Sequence, residues 1–351
     1  MTRQQARELI QAIPKTEIHV HLEAMATADT IWQLIVRHKL AIPGISSKPD
    51  LERKFKVRSL DEFVDLFINV IQSCFQSPED LDLVLRDARD YLKRNNILYA
   101  EIFIAPSKLI MNGLSFQIII AKLDHAMDWM KQQDGIDVRF IIDVSRSYGV
   151  ENARKNLELT LAHRGRSVIG IGLGGSEASG PAKDYKDIFA RAVDNGLRVV
   201  AHAGEDIGPE SIWDAINILK VSRIGHGISA IQDKKLMDYL AEKRIPLEIC
   251  PTSNLFTGRY VTKLADHPIR PFFDRGLKVT VNTDDPSIFG VELVDEYANL
   301  TDGGFFKMEE IVTLISNGVF STFLPAREKA QLWSKIAPLL AEHSLEPART
   351  V

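Results

Sequence analysis

Nine histidines occur in this 351-residue chain, and four of them fall within or at the end of strand-like runs. His19 and His21 stand two residues apart in "TEIHVHL", so in a strand both imidazoles face one side. His202 lies in "LRVVAHA" and His226 in "RIGHG". Glu205 follows His202 by three residues in "AHAGED", and Asp284 and Asp285 close "VNTDD". Imidazole nitrogens and carboxylate oxygens without a thiolate suit Zn²⁺ or another borderline divalent cation. A catalytic ion of that kind keeps one position open for water and lowers its pKa to about 7. Each fragment alone is weak: His-x-His occurs by chance on surfaces, and Asp-Asp-Pro is commonly a turn or a helix N-cap. His38, His125, His163, His267 and His343 fall in helix-like or loop context and read as surface or helix-end residues.

The elements that carry these residues give the fragments their joint weight. Eight short β-rich runs are expected at 16–22, 97–105, 136–144, 167–173, 197–203, 223–227, 245–250 and 277–283. Several are rich in Val and Ile, as buried parallel strands are. Between them lie segments with apolar residues at helical spacing, such as 116–133, 151–165, 208–220 and 233–244. The alternation predicts a (β/α)8 TIM barrel, with an open doubly wound sheet as the alternative, because periodicity counts elements but does not show closure. In a barrel the C-terminal strand ends meet at one mouth, and strands one, five, six and eight would bring four histidines and three carboxylates there.

A typical barrel takes about 250 residues, so material is left over. Residues 24–95 read as a helical insertion after strand one, lid-like over the mouth, with capping boxes at Ser59/Glu62 and Ser77/Asp80. Residues from about 301 onward read as extra C-terminal helices on a single domain spanning 1–351.

A net charge of −4 and a pI of about 6.2 give no electrostatic case for nucleic acid or an anionic membrane as partner. No apolar run is long enough to span a bilayer, and the N-terminus lacks a signal-peptide core, so a cytoplasmic protein is expected. Cys74 and Cys250 form no CxxC pair, which excludes a thiolate zinc site. A small-molecule substrate and a monomer or small homo-oligomer are the expectation.

"PKTEIHVHLEA", "GIGLGGSE", "VVAHAGED", "RIGHG", "EICPTSN" and "VNTDDPSIFG", in this order from residue 14 to 290, resemble the adenosine deaminase family of purine deaminases. The resemblance implies a (β/α)8 barrel with one zinc ion at its mouth. It implies that His19, His21, His202 and Asp284 hold the zinc and that Glu205 passes a proton to N1 of the purine. His226 would orient the attacking water and help deprotonate it. Asp285 would contact N7, and Gly175 would offer its backbone N–H to N3. Phe63 and Phe67 match lid positions over the base. The chemistry is consistent: water attack at C6 of an aromatic ring needs an acid beside N1 and a hydroxide-like nucleophile.

The chain departs from the family pattern at the sugar end. Adenosine-specific members read His-Leu-Asp-Gly after the metal pair, where "HLEA" places Glu23 and Ala24; they commonly carry an acidic residue where Ser176 stands. In the family that first acidic residue contacts the ribose 5′-hydroxyl. Adenosine leads as substrate, followed by an adenosine with a larger 5′ substituent such as 6-aminodeoxyfutalosine, then free adenine. "GPESIWDAI" and "CPTSNLFTG" resemble bacterial members. A different metal-dependent hydrolase on the same barrel is the rival reading. Many such enzymes bridge two metals with a lysine at the end of strand four, where this chain has "GIGLGGSE" and no lysine. A non-enzymatic relative would be expected to lose a ligand or the acid, and none is missing.

Overall fold

The structure, a computed structural model, describes residues 2–57, 59–343 and 345–348. Eight parallel strands pair in the order of the chain: β1 (Lys15–His21), β2 (Ile97–Ile104), β3 (Asp137–Asp143), β4 (Val168–Leu173), β5 (Arg198–Ala203), β6 (Arg223–His226), β7 (Leu247–Ile249) and β8 (Val279–Val281). Helices return the chain between them, giving the (β/α)8 barrel that the alternation predicts. Both faces of such a sheet are covered, so β1 is buried at every position and its neighbours read as near-continuous apolar runs. Phe103, Ile141 and Val200 point inward and fill the barrel together with Ile169 and Phe323. The outer helices bury one stripe each. Phe116–Asp134 buries Phe116, Ile119, Ile120, Leu123, Ala126, Met127 and Met130. Ser115 Oγ caps its start, and Gly135, in left-handed backbone at φ 71°, ends it.

Closure between β8 and β1 has no regular ladder. It is made by one parallel bridge, Val20 to Asp284, and by side chains that stand in for backbone partners. Asp284 N–H donates to His19 O (3.1 Å), and His21 N–H donates to Asp284 O (2.9 Å). Ile18 N–H donates to Asn282 Oδ1 at 3.0 Å. Glu17 Oε1 accepts from the Thr283 N–H (2.9 Å) and hydroxyl (2.6 Å), while Glu17 Oε2 accepts from Tyr91 OH (2.9 Å). The C-terminal helix Met308–Ser321 covers the outside of this seam. Asn317 Nδ2 donates to Val279 O (3.0 Å), and a Cβ at Gly318 would meet Thr16 Oγ1 at 2.7 Å.

The insertion after β1 is helical, through Ala28–His38, Lys48–Lys54, Leu60–Val64 and Pro78–Arg94. The Ser77/Asp80 capping box forms, and Glu62 N–H reaches Ser59 Oγ at 3.2 Å. Lys48–Lys54 has no counterpart in the sequence reading. The stretch 59–75, expected as one regular helix, widens into a π-helical segment at Asp65–Ile71 and tightens to 3₁₀ at Gln72–Cys74. The wide turn keeps Leu66, Val70 and Ile71 in the core while Phe67 stays near the barrel mouth, its ring 6.2 Å from that of His21. Among the described residues, no helix is long and apolar enough to cross a membrane.

Glu17 is buried and its carboxyl is pushed up to about 7 by desolvation, against the pull of its hydrogen bonds. Glu17→Ala would strand the Thr283 N–H and one of the Thr283 and Tyr91 hydroxyls at the seam, the other hydroxyl keeping its bond across the 2.9 Å between them. It should destabilise the protein by about 3 kcal/mol, read as a lower urea midpoint than wild type; an unchanged midpoint would mean that the seam does not depend on this carboxylate.

Candidate active site

Four of the eight strands, β1, β5, β6 and β8, deliver one or two candidate functional groups each at the C-terminal mouth. His19 and His21 leave β1 on one face. His202 comes from β5, His226 ends β6, and Asp284 and Asp285 lie just past β8. His226 (φ 60°) and Asp284 (φ 66°) both hold left-handed backbone, which costs a non-glycine residue about 1–3 kcal/mol. The barrel imposes those turns, and they aim both side chains into the mouth.

The groups converge tightly. His19 Nε2 stands 3.1 Å from His202 Nε2 and 3.4 Å from Asp284 Oδ1, and His21 Nε2 is 3.3 Å from that same oxygen. One ligand atom each from His19, His202, His226 and Asp284 lie within 4.8 Å of one another. Atoms held tetrahedrally at 2.0–2.1 Å from a common ion stand about 3.3 Å apart, and the His19–His202, His19–Asp284 and His21–Asp284 separations are of that size. His226 Nε2 is farther from the carboxylate, 3.9 Å from Asp284 Oδ2, and is 3.3 Å from Glu205 Oε2. All four imidazoles are buried, and among the described residues His202 Nδ1, His226 Nε2 and Asp285 Oδ1 find no hydrogen-bond partner. A buried set of imidazole nitrogens and one carboxylate, partly unpaired, fits a borderline divalent cation.

Burial and mutual charge sort the protonation states. Burial works against charge on His19, but its bonds to Asp284 and Glu248 outweigh it and hold it up at about 9. His21 is likewise held up at about 10 by Asp284, with Asp285 and Asp143 nearby, despite its burial. Burial and the neighbouring imidazoles drive His202 well below the usual range. His226 falls to about 3, chiefly by burial. Asp284, although buried, is held well below the carboxylate range by His19 and His21. Glu205 and Asp285 go the other way: burial raises both far above that range, and the Asp284 charge adds to it. Two carboxyls pushed toward the neutral form therefore stand beside one held toward the ionised form.

A second layer orients the first. Glu248 Oε2 lies 2.7 Å from His19 Nδ1, a contact that would leave Nε2 to face a metal ion once the imidazole gives up its extra proton. Glu248 stays ionised although fully buried, because Arg223 Nε lies 2.5 Å from its Oε1. Arg223 also donates to Glu101 (2.5 Å) and lies 3.7 Å from the Phe323 ring, so this chain of charges runs to the floor of the barrel. Ser253 Oγ donates to Asp284 Oδ2 at 2.7 Å. Asn254 stands between His226 Nδ1 (3.1 Å) and His267 Nε2 (3.3 Å). His267 is at a helix end as expected, but buried rather than on the surface. The sequence reading passed over Glu248, Arg223, Ser253 and Asn254. A charged residue inside the apolar run "IPLEIC" was the available signal for Glu248.

The remaining expected residues surround the cluster. Gly175 holds φ 84°, and a Cβ there would meet Ser147 Oγ at 3.0 Å, so this exposed loop accepts only glycine. Ser176 is exposed beside it. Glu23 is buried; its Oε1 accepts from Ala105 N–H (2.9 Å) and Gln72 Nε2 (3.2 Å), while Oε2 is unpaired. Phe63 stacks on Phe67 (5.8 Å between centroids) and on Phe289 (5.7 Å), and lies 6.4 Å from Phe256. The insertion thus touches the loops after β7 and β8 through aromatic rings.

A histidine-rich cluster with paired carboxylates at the C-terminal mouth of a (β/α)8 barrel defines a class, the barrel hydrolases built to bind a metal. The family model described as adenosine deaminase matches residues 14–339. The aminodeoxyfutalosine deaminase of Streptomyces avermitilis is 34% identical over 338 residues, 95% of this chain and 93% of that protein. The adenine deaminase of Crocosphaera subtropica is 33% identical, covering 93% of this chain and 99% of that protein. The crystal structure of an adenine deaminase from Arthrobacter aurescens superposes with a TM-score of 0.87 at 29% identity, over 94% of this chain and 99% of that one. The chain belongs to the adenosine deaminase family and is a hydrolytic deaminase acting on C–N bonds.

Glu248→Gln keeps an acceptor for His19 but removes the charge that fixes it. It should weaken metal affinity about 10–100-fold in a chelator competition titration, and an unchanged affinity would show that His19 needs no ionised partner.

Proposed function

We propose that this chain is a zinc-dependent deaminase that exchanges the 6-amino group of an adenine-containing nucleoside, adenosine or a 5′-modified adenosine, for oxygen and releases ammonia. The observation that carries this reading is the juxtaposition, in one buried site, of the imidazole–carboxylate cluster with the two raised carboxyls of Glu205 and Asp285. His19, His21, His202 and Asp284 are assigned as ligands, a reading supported by the three short separations that link them, and one zinc ion per chain is proposed. When bound there, the ion would lower the pKa of an attacking water toward neutrality.

The chain's own groups then divide the work. Glu205, protonated at neutral pH, donates to purine N1 and makes C6 electrophilic. His226, kept neutral by burial, faces Glu205 and orients the water while helping to take its proton. Water supplies both protons of the products: one, taken up by way of His226, replaces the proton that Glu205 gave to N1, and the other passes to the departing nitrogen as the C6–O bond becomes a carbonyl and the C–N bond breaks, releasing ammonia. Asp285, also protonated, offers a donor to N7, an acceptor-only atom, and Gly175 offers its N–H to N3. Phe63 and Phe67 exclude water above the base. Residues 24–95 form the lid of a single domain, a reading supported by the ring stack from Phe63 to Phe289. The soluble-type composition supports a cytoplasmic setting, and the assembly is proposed to be a monomer or small homo-oligomer.

A second reading, in which the substrate is 6-aminodeoxyfutalosine or free adenine, is favoured by Glu23. One of its oxygens is already taken by Ala105 N–H and Gln72, so that oxygen is not free for a 5′-hydroxyl. The relatives from Streptomyces and Crocosphaera carry those two names.

Ammonia release should be compared for adenosine, 2′-deoxyadenosine, adenine, 5′-substituted adenosines and aminodeoxyfutalosine. At least one should turn over, with activity lost to a chelator and restored by zinc; no ammonia from any of them, or full activity in metal-free protein, would overturn the reading. Glu205→Gln should keep its metal while kcat falls about 10²–10⁴-fold, and retained kcat would place the proton donor elsewhere.

A further inference from the structure

The loop after β5 makes the turn that carries Glu205. Its three consecutive amides, Gly204, Glu205 and Asp206, all point at one side chain from the neighbouring loop. Glu177 Oε2 accepts from Gly204 N–H at 2.8 Å, and Oε1 accepts from Glu205 N–H at 2.7 Å and from Asp206 N–H at 3.0 Å. Ser211 Oγ donates to Oε2 as well. The link is reciprocal, because Glu177 N–H donates to Asp206 Oδ2 at 3.2 Å. The carboxylate is 3% exposed, and the loop it holds has no slack. Gly204 is in left-handed backbone at φ 73°, and a Cβ there would meet Ile212 Cδ1 and Ser229 Oγ, each at 2.5 Å.

Four donors on one buried carboxylate is more than packing requires. A carboxylate gathers them because its two oxygens offer about four lone-pair sites and each bond is charge-assisted. Glu177 also lies two residues beyond Gly175, so the same side chain ties the loop facing N3 to the loop facing N1. We propose that Glu177 is a positioning residue: it fixes the backbone of residues 204–206, and so sets where the Glu205 carboxyl stands relative to the purine ring. It touches no substrate. The inference rests on the reading of Glu205 as proton donor.

Glu177→Gln keeps the size but leaves one acceptor oxygen for four donors, so the Glu205 turn should loosen. Two readouts separate positioning from bulk stability. Hydrogen exchange of the 204–206 amides, measured on the metal-loaded protein without substrate, should become at least about tenfold faster as their acceptor weakens. With whichever compound the wild type deaminates, kcat should fall about 10²-fold, because a misplacement of about 1 Å costs that much. KM and metal content should stay within about twofold of wild type. Exchange rates that do not change, or a KM that moves with kcat intact, would overturn the proposal. Glu177→Asp, one methylene shorter, cannot span both oxygens' partners and should show the same pattern; it carries the test if the Gln variant does not fold. Failure of both variants to fold would make Glu177 a purely structural residue and would also overturn it. The exchange arm needs no substrate. A wild type inactive on every purine would therefore sink the functional reading and leave the clamp to be decided by exchange alone.

Discussion

Between its last strand and its first, the barrel is closed by a single backbone bridge, and the site depends on where that bridge falls. Asp284 gives its N–H to His19 and takes the N–H of His21, so its Cα is locked between the two histidines of β1. Side chains on one face of β1 must then meet the Asp284 carboxylate, and both imidazoles reach the same oxygen. Glu17 and Asn282 carry the rest of the seam with side-chain oxygens, because β8 is only three residues long and cannot provide a ladder. Left-handed backbone at Asp284 is the strain that this closure requires, and the contacts on either side of it hold it in place.

Once the groups are crowded together, burial decides their charges. A site with Asp284, Asp285, Glu205 and four imidazoles cannot ionise everything at once, since each charge raises the cost of a like neighbour in a low dielectric. The ionised carboxylate is the one bonded to His19 and His21. The two carboxyls without such partners hold their protons. That division places carboxyls of opposite tendency side by side in one buried site. The floor of the barrel contributes too. Arg223 lies between Glu101 and Glu248 and keeps the latter charged, so a side chain deep in the barrel acts on the orientation of His19.

The loops above the site are coupled to each other rather than free. Glu177 joins the loops after β4 and β5, and Phe63 joins the insertion to the loop after β8. Apart from the strand-end cluster, Glu23, Gln72 and Tyr148 form a polar group of their own: Gln72 Nε2 donates to Glu23 Oε1, and the Tyr148 hydroxyl donates to Gln72 Oε1 at 3.2 Å.

By itself the sequence determined the alternation of strands and helices, because strand and helix periods are local properties of side-chain pattern; that the eight strands close into a barrel rather than an open sheet is a matter of pairing between distant segments. It also determined which residue types were present to do chemistry: "HVH", "HAGED", "GHG" and "TDD" could be read as one constellation, since each sits at a strand end and barrel strand ends share a mouth. The tertiary structure alone decided the partners. Nothing in the spacing of Glu248 says that it meets His19 across 229 positions, nor that Glu177 holds the amides beside Glu205. The π-helical turn at Asp65–Ile71 was likewise hidden, because its apolar residues fit an ordinary helix and only packing against the core selects the wider turn. Protonation states belong to this second group as well: a carboxyl's charge is set by what surrounds it in space, and Asp284 and Asp285, adjacent in sequence, end on opposite sides of the ordinary range.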